Sequence, residues 1–155
     1  MKAIRIHQTG GVDVIQCDNV PVPSLGPDDV LIKPEIAGVN FIDTYFRTGL
    51  YPVELPFTLG QECGGKVARV GINVKDIQPG DRVVALVGSS FAERVIAPRS
   101  KVVNLPKELD TRTAVAAWLQ GLTAVALTHT SYPLKRGDYV LLHAAAGAVG
   151  LRVVL

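Results

Sequence analysis

The sequence predicts a mostly β domain, a closed or nearly closed antiparallel barrel with flanking helices, followed by the first strand and turn of an α/β fold. Short segments with strand-like alternation recur roughly every 8–12 residues as far as Pro106, separated by Gly and Pro turns. Helical patterns become dominant only after Pro106. The apolar run at 139–144 then lacks polar alternation, which is typical of a strand buried on both faces of a parallel sheet.

The strands of the barrel are predicted from alternation and from the turns between them. Gly10-Gly11 provides the first turn, directly after an alternating segment. Pro34 lies inside the longest segment and lacks a backbone donor, so we expect a sheet edge or a β-bulge there. The predicted strands cover 3–7, 12–20, 28–39, 64–71, 82–86 and 91–97.

The predicted helices flank these strands. Residues 40–47 form a short helix that ends before Pro52. Asp110 or Thr111 caps a longer helix, and a separate helix follows at 122–129.

Composition excludes several classes of function. The 155 residues, 48% hydrophobic and 19% charged, are enough for a well-packed domain. The 16 basic and 14 acidic residues are spread without a block, so we expect neither nucleic-acid nor membrane binding. No apolar stretch reaches the roughly 18 residues of a membrane span. Cys17 and Cys63 are far apart, which suits a reducing compartment, and we expect a cytoplasmic location.

The segment AAAGAVG at 144–150 has the pattern of a phosphate-binding loop. It follows an apolar run and opens a predicted helix, whose backbone N–H groups and dipole favour a pyrophosphate. Gly147 and Gly150 fill the last two positions of the Gly-x-Gly-x-x-Gly fingerprint, and Ala145 stands at the first. Crowded turns without a ligand have the same composition, so both interpretations stay open on this motif alone. The ribose-reading residue follows about 20 positions later, beyond Leu155, so we expect a truncated domain.

Seven stretches in this order are similar to one known family. They are MKAI at 1–4, GVNFIDTY at 38–45, RTGLYP at 47–52, GQE at 60–62, PGDRV at 79–83, QGLTA at 120–124 and AAAGAVG at 144–150. The chain resembles the N-terminal half of the medium-chain dehydrogenase/reductase superfamily, and within it the zinc-free quinone oxidoreductase (zeta-crystallin-like) branch.

This resemblance implies two domains. A GroES-like barrel with the substrate contacts covers 1–122, and a linker helix with the truncated start of a Rossmann domain covers 123–155. The resemblance also implies NADPH as cofactor, a small-molecule quinone as substrate for two-electron reduction, and a homo-oligomer in the full-length form.

The resemblance further implies that there is no zinc. Zinc-dependent members have a Cys in the loop that is GVNFID here and a His in a Gly-His-Glu triplet, where this chain has Asn40 and Gln61. Neutral amides are poor ligands for four-coordinate zinc. Without a Lewis acid a simple ketone stays unpolarised, whereas a quinone accepts hydride to give an aromatic hydroquinone anion, so hydrogen-bond donors are enough. The same chemistry admits activated enones.

The resemblance assigns residues to both ends of the cofactor. Asn40, Asp43 and Tyr45 match positions that border the nicotinamide, with Tyr45 and Tyr51 in the substrate pocket. Position alone favours a helix N-cap for Asn40 and a packed aromatic for Tyr45, and the resemblance reverses this for Asn40. Thr123 is either a cofactor contact or a helix-start cap. The pyrophosphate contacts are Ala146, Gly147, Ala148, Val149 and Gly150.

Two functions follow, from different classes. The first is an NADPH-dependent, zinc-independent quinone reductase present as a truncated chain. The alternative is a catalytically inactive GroES-like fragment that acts through protein association. No Gly-x-Ser-x-Gly or Walker loop is present, so the sequence does not support hydrolysis or phosphoryl transfer.

Overall fold

Two antiparallel sheets form the first part of the chain in a computed structural model, which describes residues 1–154. The sheets have the strand orders β2-β1-β4 and β7-β3-β5-β6-β8. The strands are β1 (Lys2–Ile6), β2 (Ile15–Asn19), β3 (Asp29–Ala37), β4 (Phe57–Thr58), β5 (Glu62–Val70), β6 (Arg82–Leu86), β7 (Val95–Pro98) and β8 (Val102–Asn104). The predicted mostly β class with flanking helices is therefore confirmed.

Strand positions follow the predicted alternation, with differences at four places. Residues Val12–Val14 form a 3-10 turn rather than the start of β2. The strand predicted at 91–97 begins only at Val95, although Ala92 forms an isolated bridge with Ala3. The sequence did not predict β4 and β8, because strands of two and three residues are too short to show alternation.

Pro34 lies at a β-bulge, as predicted. The register between β3 and β5 shifts between Pro34 and Ile36, and β7 pairs with β3 only from Asp29 to Ile32. Pro34 therefore lies beyond the residues of β3 that pair with β7. Its missing backbone N–H leaves no hydrogen bond between these two strands unmade.

The larger sheet surrounds the main hydrophobic core. Its buried members are Val30, Ile32, Cys63, Val67, Val74, Ile77, Val83, Ala85, Val95, Ala97 and Val102. A second, smaller cluster of Ile6, Val14 and Leu59 is covered by Phe46 and Phe57. Because Phe46 belongs to the first helix, this second cluster anchors that helix on the β domain.

Three α-helices accompany the sheets: α1 (Phe41–Thr48), α2 (Thr111–Val125) and α3 (Ala148–Val154). Asp110 caps α2, because its Oδ1 accepts a hydrogen bond of 3.0 Å from the Thr113 N–H. The separate helix predicted at 122–129 is wrong: α2 passes through Gly121 and continues as a π-helical turn at Ala126–Ser131. A single Gly costs a helix only about 1 kcal/mol relative to Ala, which its neighbours offset.

The chain divides into two compact units, of which the first ends at Val115 and the second begins at Ala116. The sequence placed the domain boundary after Leu122. In the second unit the strand predicted at 139–144 is not formed, and Tyr139 and Leu141 are 102% and 83% exposed. A parallel strand needs a neighbouring strand for its hydrogen bonds. No strand among residues 1–154 pairs with this segment.

None of the helices in the described part of the chain combines the length and the apolar character needed to cross a bilayer.

Candidate functional site

Asp43 joins the start of α1 to the loop before β5. Its Oδ2 accepts a hydrogen bond of 2.9 Å from the Asn40 N–H, and its Oδ1 accepts one of 3.1 Å from the Gly60 N–H. Burial raises the pKa of Asp43 above its ordinary value, and the two backbone donors offset part of that increase. A carboxylate in the first turn also interacts favourably with the helix dipole. Asp43 therefore fixes the position of Asn40 relative to the Gly60 loop.

Asn40 is the N-cap of α1, so the helix-cap interpretation of its position is correct. Its backbone is extended and it forms a capping box with Asp43. Its Nδ2 donates a hydrogen bond of 2.8 Å to Oε1 of Glu62, the first residue of β5. The side chains of Asn40, Asp43 and Glu62 thus form one buried polar cluster at the end of the β domain.

Glu62 is a functional candidate that the sequence analysis did not identify. It is fully buried, with an exposed fraction of 0%. Gly38 provides the space for it, because a Cβ at Gly38 would collide with the Glu62 carboxylate. The available signal was a glutamate at the start of a strand, directly before a cysteine and two glycines, together with a glycine two residues before Asn40.

The residues at the zinc positions of related enzymes do not fit a zinc ion. The amide of Asn40 is engaged with Glu62, and Gln61 Nε2 donates a hydrogen bond of 2.9 Å to the Gly60 carbonyl. Cys63 belongs to the hydrophobic core, and burial, together with a smaller contribution from the Glu62 charge, raises the pKa of its thiol to about 12. Zinc binds the thiolate, which this environment disfavours. Among residues 1–154, no group of three His, Cys, Asp or Glu side chains could hold a metal ion.

The two cysteines should differ in reactivity. Cys17 is exposed, whereas Cys63 is buried with a pKa of about 12. We expect iodoacetamide at pH 8 to alkylate Cys17 alone in the folded protein and both cysteines in urea, because only the thiolate reacts. Peptide mass mapping measures this, with a Cys17→Ser variant as the control that should take up no label while folded. Modification of Cys63 in the folded variant would contradict its assignment to the core.

Tyr45, in α1, and Tyr51, just after it, form an aromatic pair. Their ring centroids are 5.3 Å apart and edge-to-face, and Phe41 packs edge-on against Tyr45 at 5.5 Å. Phe41 is 76% exposed and Tyr51 is 46% exposed. The structure therefore places the two predicted pocket residues together, with aromatic surface available to a planar ligand.

The predicted phosphate loop precedes α3 in the second unit. Ala144 has a left-handed φ of 53°, and the Gly147 N–H donates a hydrogen bond of 2.8 Å to its carbonyl. Gly150 is buried, and a Cβ there would lie 2.6 Å from the Ala144 carbonyl oxygen and the Ala145 Cα. This close approach of helix and loop is the role of the third glycine in the dinucleotide-binding fingerprint.

Thr123 lies inside α2, neither in a turn nor at a helix start. Its hydroxyl donates a hydrogen bond of 2.8 Å to the Leu119 carbonyl, four residues earlier. The helix-cap interpretation of Thr123 is therefore wrong, because α2 has already run for three turns at this point. Its hydroxyl oxygen keeps acceptor capacity, and its contact with the cofactor stays a prediction.

Comparison with known proteins gives a consistent result for this arrangement. Residues 26–107 match the family model of the alcohol dehydrogenase GroES-like domain. A probable quinone oxidoreductase of Schizosaccharomyces pombe is 43% identical over 150 residues, which cover 96% of this chain and 46% of that protein. The chain thus spans about half the length of the curated relatives that it matches.

Two solved structures are similar over nearly the whole chain. The structure of a mycobacterial protein complexed with NADPH has a TM-score of 0.94 at 46% identity, and the match covers 99% of this chain and 48% of that one. The Escherichia coli quinone oxidoreductase complexed with NADPH has a TM-score of 0.92 at 36% identity, with coverage of 99% and 48%.

Proposed function

Because the chain belongs to the alcohol dehydrogenase GroES-like domain family of the medium-chain dehydrogenases/reductases, we propose that it forms part of a zinc-independent, NADPH-dependent quinone oxidoreductase. The observation that carries this proposal is the buried cluster around Asn40. An amide bound to Glu62 stands where the zinc enzymes of this superfamily have a cysteine ligand. The quinone oxidoreductases among its relatives favour a quinone as the substrate.

The residues of the site fit an acceptor that needs little activation. Bound NADPH supplies a hydride, and the acceptor must stabilise the charge that develops on its oxygen. A quinone does this by becoming an aromatic hydroquinone anion, so hydrogen bonds from Tyr45 or Tyr51 are sufficient and a Lewis acid is not required. The tyrosines and Phe41, which pack edge-to-face, offer apolar aromatic surface to the ring. Activated enones meet the same requirements.

The cofactor would be held at two places in this chain. The backbone of the loop Ala146, Gly147, Ala148, Val149 and Gly150 would receive the pyrophosphate, because the glycine at 150 brings α3 close to the loop backbone. Asn40 and Thr123 would contact the nicotinamide end. Both carboxylate oxygens of Asp43 accept backbone hydrogen bonds, so Asp43 would act by holding Asn40 in place.

A second candidate function rests on one specific observation. The apolar side chains of Tyr139 and Leu141 are exposed in the second unit, as expected of a surface that another chain covers. A catalytically inactive domain that associates with other subunits would use such a surface. This function predicts no binding of NADPH by the chain, whereas the quinone reductase predicts it.

An activity assay with a chelator tests the proposed function. We expect NADPH oxidation that requires 1,4-benzoquinone or 1,4-naphthoquinone, that is unchanged by EDTA, and that does not occur with acetone. The Asn40→Ala variant should lose at least about tenfold in kcat/KM, as expected for one hydrogen bond to the cofactor. Asn73→Ala is the matched control, since the Nδ2 of Asn73 donates a hydrogen bond of 2.9 Å to the surface residue Asp28. Activity that EDTA abolishes and zinc restores would refute the proposal.

A further inference from the structure

A buried carboxylate lies directly behind the proposed nicotinamide contact. Glu62 is 0% exposed and its Oε1 accepts the hydrogen bond of 2.8 Å from Asn40 Nδ2. Burying a carboxylate costs stability unless hydrogen bonds compensate it. An apolar side chain of similar size would fill the same space without that cost. Filling this space with a carboxylate therefore costs stability, and a role in orienting Asn40 accounts for the presence of the carboxylate.

The chemistry of the two side chains fixes one orientation of the amide. An asparagine amide has a donor side and an acceptor side that a half-turn exchanges, whereas an ionised carboxylate only accepts. Glu62 therefore holds the NH2 side of Asn40 toward β5, and the oxygen side faces the N-terminus of α1, where the capping box with Asp43 lies. A flipped amide would bring two acceptors together.

Gly38, directly after β3, makes room for the contact between Glu62 and Asn40. A Cβ at this position would overlap the carboxylate group of Glu62, and the Gly38 N–H donates a hydrogen bond of 3.3 Å to the Glu62 carbonyl. Gly38 thus lets the end of β3 approach Glu62 closely enough for the carboxylate to reach Asn40.

We propose that Glu62 is a positioning residue, which sets the orientation of the Asn40 amide for the nicotinamide end of NADPH. This inference rests on the proposed function. Glu62 itself need not touch the cofactor, and its effect on the cofactor passes through Asn40.

Three variants of Glu62 separate positioning from simple packing. Glu62→Met keeps the length of the side chain but removes the acceptor. Glu62→Asp keeps the charge but withdraws it by one methylene, and it provides a milder variant if Glu62→Met does not fold. Glu62→Gln keeps an acceptor at the same distance and serves as the conservative rescue. Ser90→Ala is the matched control, because Ser90 is 1% exposed and its Oγ has no hydrogen-bond partner among residues 1–154.

Two measurements are made on each folded variant. The first is the NMR signal of the Asn40 side-chain NH2, assigned by its loss in Asn40→Ala, with its hydrogen-exchange rate. The second is the dissociation constant for NADPH, compared with that for inorganic pyrophosphate, which lacks the nicotinamide and its ribose. We expect Glu62→Met and Glu62→Asp to expose the amide to exchange and to weaken NADPH binding about tenfold, with the affinity for pyrophosphate unchanged. Glu62→Gln and Ser90→Ala should resemble the wild type in both.

Other results would overturn the inference in recognisable ways. Equal losses for NADPH and pyrophosphate would show a structural role, and an unchanged NADPH affinity with a released Asn40 amide would show that the orientation is irrelevant to the cofactor. If the wild type binds no NADPH, the proposed function fails and this inference fails with it. If the wild type binds NADPH and Glu62→Met binds it equally well, only the inference fails.

Discussion

Replacing Asp43 with alanine is expected to lower the free energy of unfolding by about 2–4 kcal/mol. The carboxylate accepts hydrogen bonds from the Asn40 and Gly60 N–H groups, and the variant leaves both donors without this partner in a buried place. A hydrogen bond to a charged group contributes about 1.5–3 kcal/mol, and the release of the buried charge offsets part of the sum. Urea denaturation followed by circular dichroism measures the change.

Asp76→Ala is the matched control for this prediction. Asp76 also has both oxygens bonded, to the Arg99 guanidinium at 2.6 and 2.9 Å, but it lies on the surface, where water replaces the lost contact. We expect a clearly smaller loss of stability than for Asp43→Ala. Similar losses for the two variants would mean that Asp43 does not connect α1 to the Gly60 loop.

The pH dependence of stability provides an independent check on Asp43. Because its folded-state pKa is raised, the folded protein takes up this proton first, so the contribution of Asp43 to stability increases as the pH falls through that pKa. Asp76, Glu93 and Asp110 have lowered pKa values and act in the opposite direction. Between pH 7 and 4, the wild type should therefore gain stability relative to Asp43→Asn, in which the other three carboxylates are unchanged.

Replacing Gly150 with valine is expected to weaken NADPH binding at least about 100-fold. The new Cβ would lie 2.6 Å from the Ala144 carbonyl oxygen and the Ala145 Cα, which are backbone atoms of the loop itself. Overpacking of this kind is relieved only by displacement of the loop, and the backbone N–H groups would then no longer point at a pyrophosphate. Isothermal titration with NADPH measures the loss.

Gly88→Ala is the control for a glycine without such contacts. No atom lies within 4 Å of a Cβ built at Gly88, and the residue is exposed. The affinity of the Gly88→Ala variant for NADPH should equal that of the wild type. Wild-type affinity in Gly150→Val would show that the 144–150 segment does not hold the cofactor.

Alternation and turn residues predicted most of the β domain. The longer strands, the bulge at Pro34 and the short helix α1 all appeared where the sequence indicated them. The continuity of α2 through Gly121 was missed, because an isolated glycine weakens a helix without ending it. The strand at 139–144 is absent because its apolar residues predict burial, whereas a strand also needs a partner for its backbone.

The site could be predicted only where residue type alone determines the chemistry. Asn40 and Gln61 were informative because an amide at a metal position changes what the site can bind. Glu62 was missed because its importance depends on complete burial and on contact with a residue 22 positions earlier. Thr123 was placed in a turn because the length of α2 could not be read from its composition.

Titration with NADPH tests the central claim most directly, since the claim is that this chain carries the cofactor contacts of a zinc-independent quinone reductase. The protein is first dialysed against EDTA, and the quenching of its Trp118 fluorescence is followed as NADPH is added. The account predicts saturable binding with a micromolar dissociation constant, followed by oxidation of the bound NADPH when a quinone is added. The absence of binding up to millimolar NADPH, or binding that appears only after zinc is restored, would contradict it.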